Sequence, residues 1–155
     1  MAQMQAPTQI EVNSLCDYLE VMSKAVFQSG MPWKMVASKW PQIREAMRNF
    51  DVDSLATLST DDLEELAHDT RVIRNRRKLA AIVHNAQRMI DLDEEHGGFQ
   101  NYLRSHDSFE LTTKDLRKQF KFLGDMGCYF FLRVVGEYVP SHEDWMKSRK
   151  SKARR

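Results

Sequence analysis

Three short stretches of this chain combine residue types that could do chemistry. The first is "FQSGMPW", Phe27 to Trp33. A large apolar run breaks at Gly30 and Pro32, and Met31 and Trp33 sit on the break. An aromatic and a flexible thioether on a glycine turn can grip something flat, or they can fill a corner of the core. The second is "RVIRNRRK", Arg71 to Lys78. It holds five basic residues in eight: Arg71, Arg74, Arg76, Arg77 and Lys78. Such a run contacts phosphates, or it is a solvated face. The third is "FKFLGDMG", Phe120 to Gly127, an apolar hairpin with glycines at Gly124 and Gly127 that enters an apolar helix. A glycine there allows a tight bend and close approach of a partner. The free N–H groups of the next helix suit a phosphate. Helix-hairpin-helix motifs hold DNA backbones in this way without reading bases. A plain αα-corner requires the same glycine.

Helices must position all three stretches, because the apolar residues recur at helical spacing and no convincing strand pattern occurs. The segment 10–28 carries Ile10, Leu15, Leu19, Met22, Val26 and Phe27. A second helix is expected from Pro32 towards Lys39, with Pro32 at the first helical position. A restart at Pro41 carries Ile43, Met47 and Phe50. The segment 51–58 reads as a short helix or turn. Ser59 and Asp62 form a capping-box pattern ahead of Leu63 and Leu66. The helix carrying Leu79, Ile82, Val83, Ala86 and Ile90 ends at Gly97-Gly98. Short helices follow over 99–105 and 112–120, the latter capped by Thr112 or Thr113. A buried helix runs on from Gly124. The expected fold class is all-α, with about eight to ten short helices.

Composition bounds the rest. A chain of 155 residues with 42% hydrophobic and 29% charged residues fits one soluble domain with a real core. No apolar run approaches the length of a membrane span, and the N-terminus lacks a signal-peptide pattern, so a cytoplasmic protein is expected. Cys16 and Cys128 form neither a disulfide framework nor a zinc quartet and read as buried, reduced and inert. The net charge of +1 conceals an asymmetry. Residues 1–146 hold 17 basic and 22 acidic residues, a net of −5, whereas the last nine, "KSRKSKARR", hold six basic residues and no acid. The expected organisation is one helical domain over 1–146 and a basic, disordered tail over 147–155. Such a tail either solubilises or holds a phosphate backbone.

From about Val21 to Val139 the order of these stretches resembles the DNA-3-methyladenine glycosylase I family, the bacterial Tag-type branch of the helix-hairpin-helix glycosylases. "FQSGMPW" looks like that family's Gln-small-Gly-Leu-Ser-Trp segment. "WPQIREAMRNFDVDSLATLSTDDLEEL" looks like its Phe-Asp segment followed by an acidic helix. "VIRNRRKLAAIVHNAQ" is the most specific match. "FKFLG" with "CYFF" is similar to its hairpin and helix, and "GEYVPSH" is a looser echo. Order and spacing agree through about Asp91, and the stretch Gly97 to Gln119 is much shorter than in the family. The resemblance implies an all-α bundle of the helix-hairpin-helix glycosylase type, truncated relative to the family. It implies excision of a flipped 3-methylated adenine or related alkylated purine from double-stranded DNA by a monomeric enzyme.

Roles carry over residue by residue. Trp33 would stack on the base, with Phe27 and Gln28 as base-binding neighbours. Met31 would be the wedge, on the turn framed by Gly30. Gly124 and Gly127 would hold a phosphate beside Lys121, and Arg74, Arg76 and Arg77 would touch the backbone. Two departures stand out. Counting eight residues back from Trp33 lands on Ala25, where the family carries a base-recognising Glu. The family's zinc ligands are also missing: there is no Cys or His in the first fifteen residues and no Cys after Cys128, so no metal and no cofactor are expected. Asp144, twenty residues past Gly124, is the candidate for a carboxylate that stabilises an oxocarbenium ion in other branches. Two alternatives remain: a glycosylase fold that binds DNA or a partner without excising a base, and a helical protein with no nucleic-acid role, to which the acidic domain points.

Overall fold

The computed structural model describes residues 9–153. It contains nine α-helices and a short turn of 3-10 type among those residues, and no strand. The helices are α1 (Leu15–Gln28), α2 (Trp33–Ala46), α3 (Val52–Ala56), α4 (Thr60–Ala67), α5 (Arg76–His96), α6 (Phe99–Leu103), α7 (Phe109–Gln119), α8 (Asp125–Val134) and α9 (His142–Ala153). The 3-10 turn is Arg48–Phe50.

The long helix α5 is the spine, packed against α1, α3, α4 and α6. Its stripe of Leu79, Ile82, Ala86 and Met89 is buried, as is the facing stripe of α1, Leu19, Met22, Val26 and Phe27. Helix α8 closes the other side of α1 with Cys128, Phe131 and Leu132. Burying such side chains contributes about 1.5–3 kcal/mol each before the entropy of ordering is counted. An aromatic cluster joins α1, α6 and the hairpin: Tyr18 and Phe99 lie 4.9 Å apart, and Phe99 meets Tyr102 at 5.3 Å and Phe120 at 6.2 Å.

Local signals explain most helix ends. Ser59 and Asp62 close the expected capping box, each side chain meeting the other's backbone N–H at 3.0 Å. Gly97, at φ 68°, ends α5 in the left-handed conformation.

Four expectations are corrected. Pro32 is the N-cap of α2 and Trp33 the first helical residue, so Pro32 lies one position outside the helix. Helix α2 also runs straight through Pro41. Proline costs one backbone bond there, but Trp40 beside it stacks on Phe50 at 5.2 Å, and Val36 and Ile43 on either side are fully buried. Helix α7 starts a turn earlier than expected, because Ser108 caps it through the Leu111 N–H at 3.2 Å. Finally, α9 runs from His142 to Ala153, so the expected boundary between 146 and 147 falls inside a helix.

Between α2 and α3 the backbone makes a left-handed turn with φ of 55°, 54° and 56° at Arg48, Asn49 and Phe50. Left-handed non-glycine residues cost roughly 1–2 kcal/mol each. The fully buried Phe50 ring, stacked on Trp40, offsets part of that cost.

Candidate nucleic-acid interface

Two loops carry the candidate residues, and α5 holds both. At the first loop, α1 ends as the Ser29 N–H reaches back to the Ala25 and Val26 carbonyls at 3.1 and 3.3 Å. Gly30 then turns the chain at φ 72°, with nothing within 4 Å of where a Cβ would stand. The glycine is therefore required by its dihedral angle, not by crowding. The Met31 N–H closes the turn on the Gln28 carbonyl at 3.0 Å. Beneath it, the Lys78 ammonium donates to the carbonyls of Phe27 at 3.0 Å and Ser29 at 2.5 Å. These are carbonyls at a helix C-terminus, where a cation is favoured. Lys78 is only 4% exposed, and its burial lowers its pKa.

At the second loop, Phe120 to Gly124, the side-chain amide of Asn85 pairs with the Lys121 peptide. Asn85 Nδ2 donates to the Lys121 carbonyl at 3.1 Å, and the Lys121 N–H donates to Asn85 Oδ1 at 2.8 Å. Asn85 is buried. Lys78 and Asn85 are seven residues apart on one face of α5, so one rigid helix sets the distance between the turn and the hairpin. Sequence reasoning counted Lys78 with the phosphate-contacting cations and gave Asn85 no role. A signal was available: each polar residue interrupts the apolar stripe of α5, where a side chain has to find a buried partner.

The structure sorts the other candidates. Trp33 is 42% exposed at the start of α2, and Met35 two residues on is 45% exposed. Met31 is half-buried against the core. Gln28 is half-buried, and Gly30 is exposed. Phe27 is corrected: it is fully buried and meets the Trp40 ring edge-on at 6.1 Å, so it has no face to offer a base. Its partner Trp40 donates from Nε1 to Glu20 at 2.9 Å.

In the basic run, Lys78 points inward, Arg71 pairs with Asp69 at 2.8 Å, and Arg76 pairs with Glu64 at 2.6 Å. Arg74 and Arg77 are exposed and have no ion-pair partner among the described residues. The hairpin differs from expectation in detail. The left-handed residue is Phe122, at φ 57°, not a glycine. Gly124 caps α8 at φ −86°, with open space where its Cβ would be. Lys121 is exposed beside it. Gly127 is corrected from phosphate contact to packing. A Cβ there would lie 3.1 Å from Leu123 Cδ1 and 3.5 Å from Ala25 Cβ, so it lets α8 rest on α1. Asp144 is exposed in the first turn of α9, its N–H bonded to Ser141 Oγ at 3.2 Å. It does not line the groove described next. Among the described residues no cluster of His, Cys, Asp or Glu could hold a metal ion, and no helix is long and apolar enough to cross a membrane.

A groove of about 800 Å³ opens beside the hairpin. Ser29 of the glycine turn, Phe122 and Gly124 of the hairpin, Lys114, Arg117 and Lys118 of α7, and Trp145 and Arg149 of α9 line it, with Glu110 and Asp125 as its two acids. The turn and the hairpin therefore border one concavity.

Comparison with known proteins fits this geometry. DNA-3-methyladenine glycosylase 1 of Escherichia coli is 26% identical over 130 residues, covering 70% of each chain. DNA-3-methyladenine glycosylase of Haemophilus influenzae is 27% identical over 130 residues with the same coverage. The fold is that of 3-methyladenine DNA glycosylase I from Staphylococcus aureus, which superposes with a TM-score of 0.74 at 22% identity over 83% of this chain and 80% of that one. The sequence model for "Methyladenine glycosylase" matches residues 12–116, from before α1 into α7 and across both the glycine turn and the α5 spine. The chain belongs to the methyladenine glycosylase family.

Proposed function

We propose that this protein is a DNA base-excision repair glycosylase that hydrolyses the N-glycosidic bond of a flipped 3-methyladenine or related alkylated purine in duplex DNA. The supporting observation is the exposed Trp33 on a glycine turn tied by Lys78 to the same helix that holds the hairpin through Asn85. A base in the stack cannot be reached, so it is extruded and held against an aromatic face. Trp33 supplies that face, Met31 follows the base into the gap, and Gly124 with the first amides of α8 holds a phosphate. A 3-methylated adenine is cationic in DNA. When its bond to C1′ breaks, the electron pair stays with the base, which leaves neutral. Water bonds to C1′ and releases a proton. The protein therefore need not supply a strong acid. Its work is to bind the base, orient the sugar and admit one water.

One observation favours a second reading, in which the fold binds damaged DNA without excising a base. Ala25 stands where a recognising carboxylate is expected, and its methyl packs towards Gly127 instead of carrying an acceptor. A base-release assay separates the two. Methylated duplex DNA is incubated with excess protein and free purines are resolved chromatographically. Release of 3-methyladenine, slowed in Trp33→Ala, supports excision. Binding without any release supports the second reading.

A further inference from the structure

We propose that the groove between α7 and α9 is a second DNA-backbone site, holding the phosphates of the strand that flanks the flipped nucleotide. The inference rests on the DNA reading above and extends it to residues beyond the glycine turn and the hairpin. Lys114 and Lys118 lie one turn apart on α7, and Arg149 faces them from α9. None of these three has an acidic partner among the described residues, although Glu110 lines the same groove and Asp125 is held by Arg117 at 2.9 Å. Arg149 lies over the Trp145 ring, 4.9 Å from its centre, and Trp145 in turn stacks on Tyr129 at 4.3 Å. The guanidinium is thus fixed on an aromatic floor without a counter-charge, an arrangement suited to a phosphate oxygen.

The position of the groove argues for a DNA strand over a free anion. Ser29 of the base-probing turn borders it and Gly124 of the hairpin lies along it. A strand leaving the lesion would pass the hairpin and enter the groove. From Glu110 to Lys118 the wall of α7 is about 12 Å long, enough for roughly three nucleotides at their rise along a duplex. Lys118 and Arg149 lie beyond the residues that the family model matches. Helix α9, which the sequence pattern read partly as a basic tail, is then a working wall of the interface.

The test measures affinity for an undamaged duplex across a salt series, together with base release from methylated duplex at saturating protein. The variants are K114Q/K118Q/R149Q, the single R149Q and a control, Lys147→Gln. Lys147 is an exposed α9 cation paired with Glu143 at 3.4 Å and does not line the groove. Circular dichroism and melting establish that each variant folds. The expected result is a log–log salt slope shallower by about 0.9 per groove cation removed. R149Q falls between parent and triple variant, and the control K147Q matches the parent in slope, affinity and base release. A triple variant with the parent's slope and affinity overturns the proposal. So does a K147Q loss equal to that of R149Q, which would reduce the effect to net charge. If the groove variants behave as expected but the parent releases no base, the excision reading fails and the groove stands. If release persists and the slopes are identical, only the groove fails.

Discussion

Trp33 and Phe27 show how much a single side chain's surroundings matter. Both are aromatic, six residues apart and adjacent to the same turn, yet one is 42% exposed and the other fully buried. Trp33 lies outside the buried core cluster, so replacing it with Ala is expected to cost no more than about 1 kcal/mol of stability. If Trp33 is the wall on which the flipped base stacks, as proposed, losing it costs about 1–3 kcal/mol, which predicts a fall in base release of roughly fivefold to 150-fold. Single-turnover release and a urea midpoint, measured on the same preparations, check the contrast. The two cysteines separate in the same way. Burial pushes the Cys128 thiol up to about 12, whereas Cys16 is only half-buried, a correction to the expectation that both are shielded. One thiol is expected to react with a disulfide reagent at pH 8 in the native protein, and the second only after unfolding. Two equally fast thiols would contradict the burial of Cys128.

At the scale of elements, α5 does the positioning. Its two buried polar side chains, Lys78 and Asn85, each bond the backbone of a different loop. Removing either leaves buried or partly buried backbone groups without partners, at about 1–3 kcal/mol. Their functional signatures are expected to differ. Lys78→Met loosens the turn that presents Trp33, so the release rate at saturation falls while affinity for undamaged duplex holds. Asn85→Leu loosens the hairpin, so affinity falls first. Equal loss of both properties in both variants would mean that the two clamps act only on global stability. Binding by gel shift and single-turnover release separate the cases. These roles were half legible: the polar breaks in the α5 stripe could be seen, but their partners lie 36 to 51 residues away in the chain.

For the molecule as a whole, the linked carboxylates set the response to acid. Asp115 accepts from Tyr102 at 2.7 Å, His106 at 3.0 Å and Gln119 at 3.3 Å, joining α6 to α7. Partial burial raises its pKa, but the three hydrogen bonds outweigh that and hold it below the usual carboxylate range. A carboxylate held down in the folded state contributes stability that is fully present above the unfolded pKa near 4. That contribution is lost as pH falls through the folded value. Urea midpoints are therefore expected to drop between pH 5 and pH 3, and to drop less in Asp115→Asn, although that variant starts lower at pH 7. Parallel curves for the two proteins would show that Asp115 carries none of the linkage.

Periodicity, caps and glycine positions, read locally, were enough for the all-α class, most helix spans, the Ser59 cap and the end of α5 at Gly97. The ordered stretches from Phe27 to Asn85 carried the family. These properties follow from neighbours within a turn or two along the chain. Which face of each residue meets what was decided only in three dimensions. Phe27 turned inward because the apolar stripe of α1 continues through it. Lys78 turned inward because a helix C-terminus, distant in sequence, offered two carbonyls. Gly127 proved to be a contact between helices, and α2 survived Pro41 because Trp40 had Phe50 to stack on. Helix α9 was missed because its weak helical pattern is anchored by one residue, Trp145, whose partner Tyr129 sits on another helix. A long-range contact leaves no local trace except a residue that fits its own stripe badly, and that trace cannot name the partner.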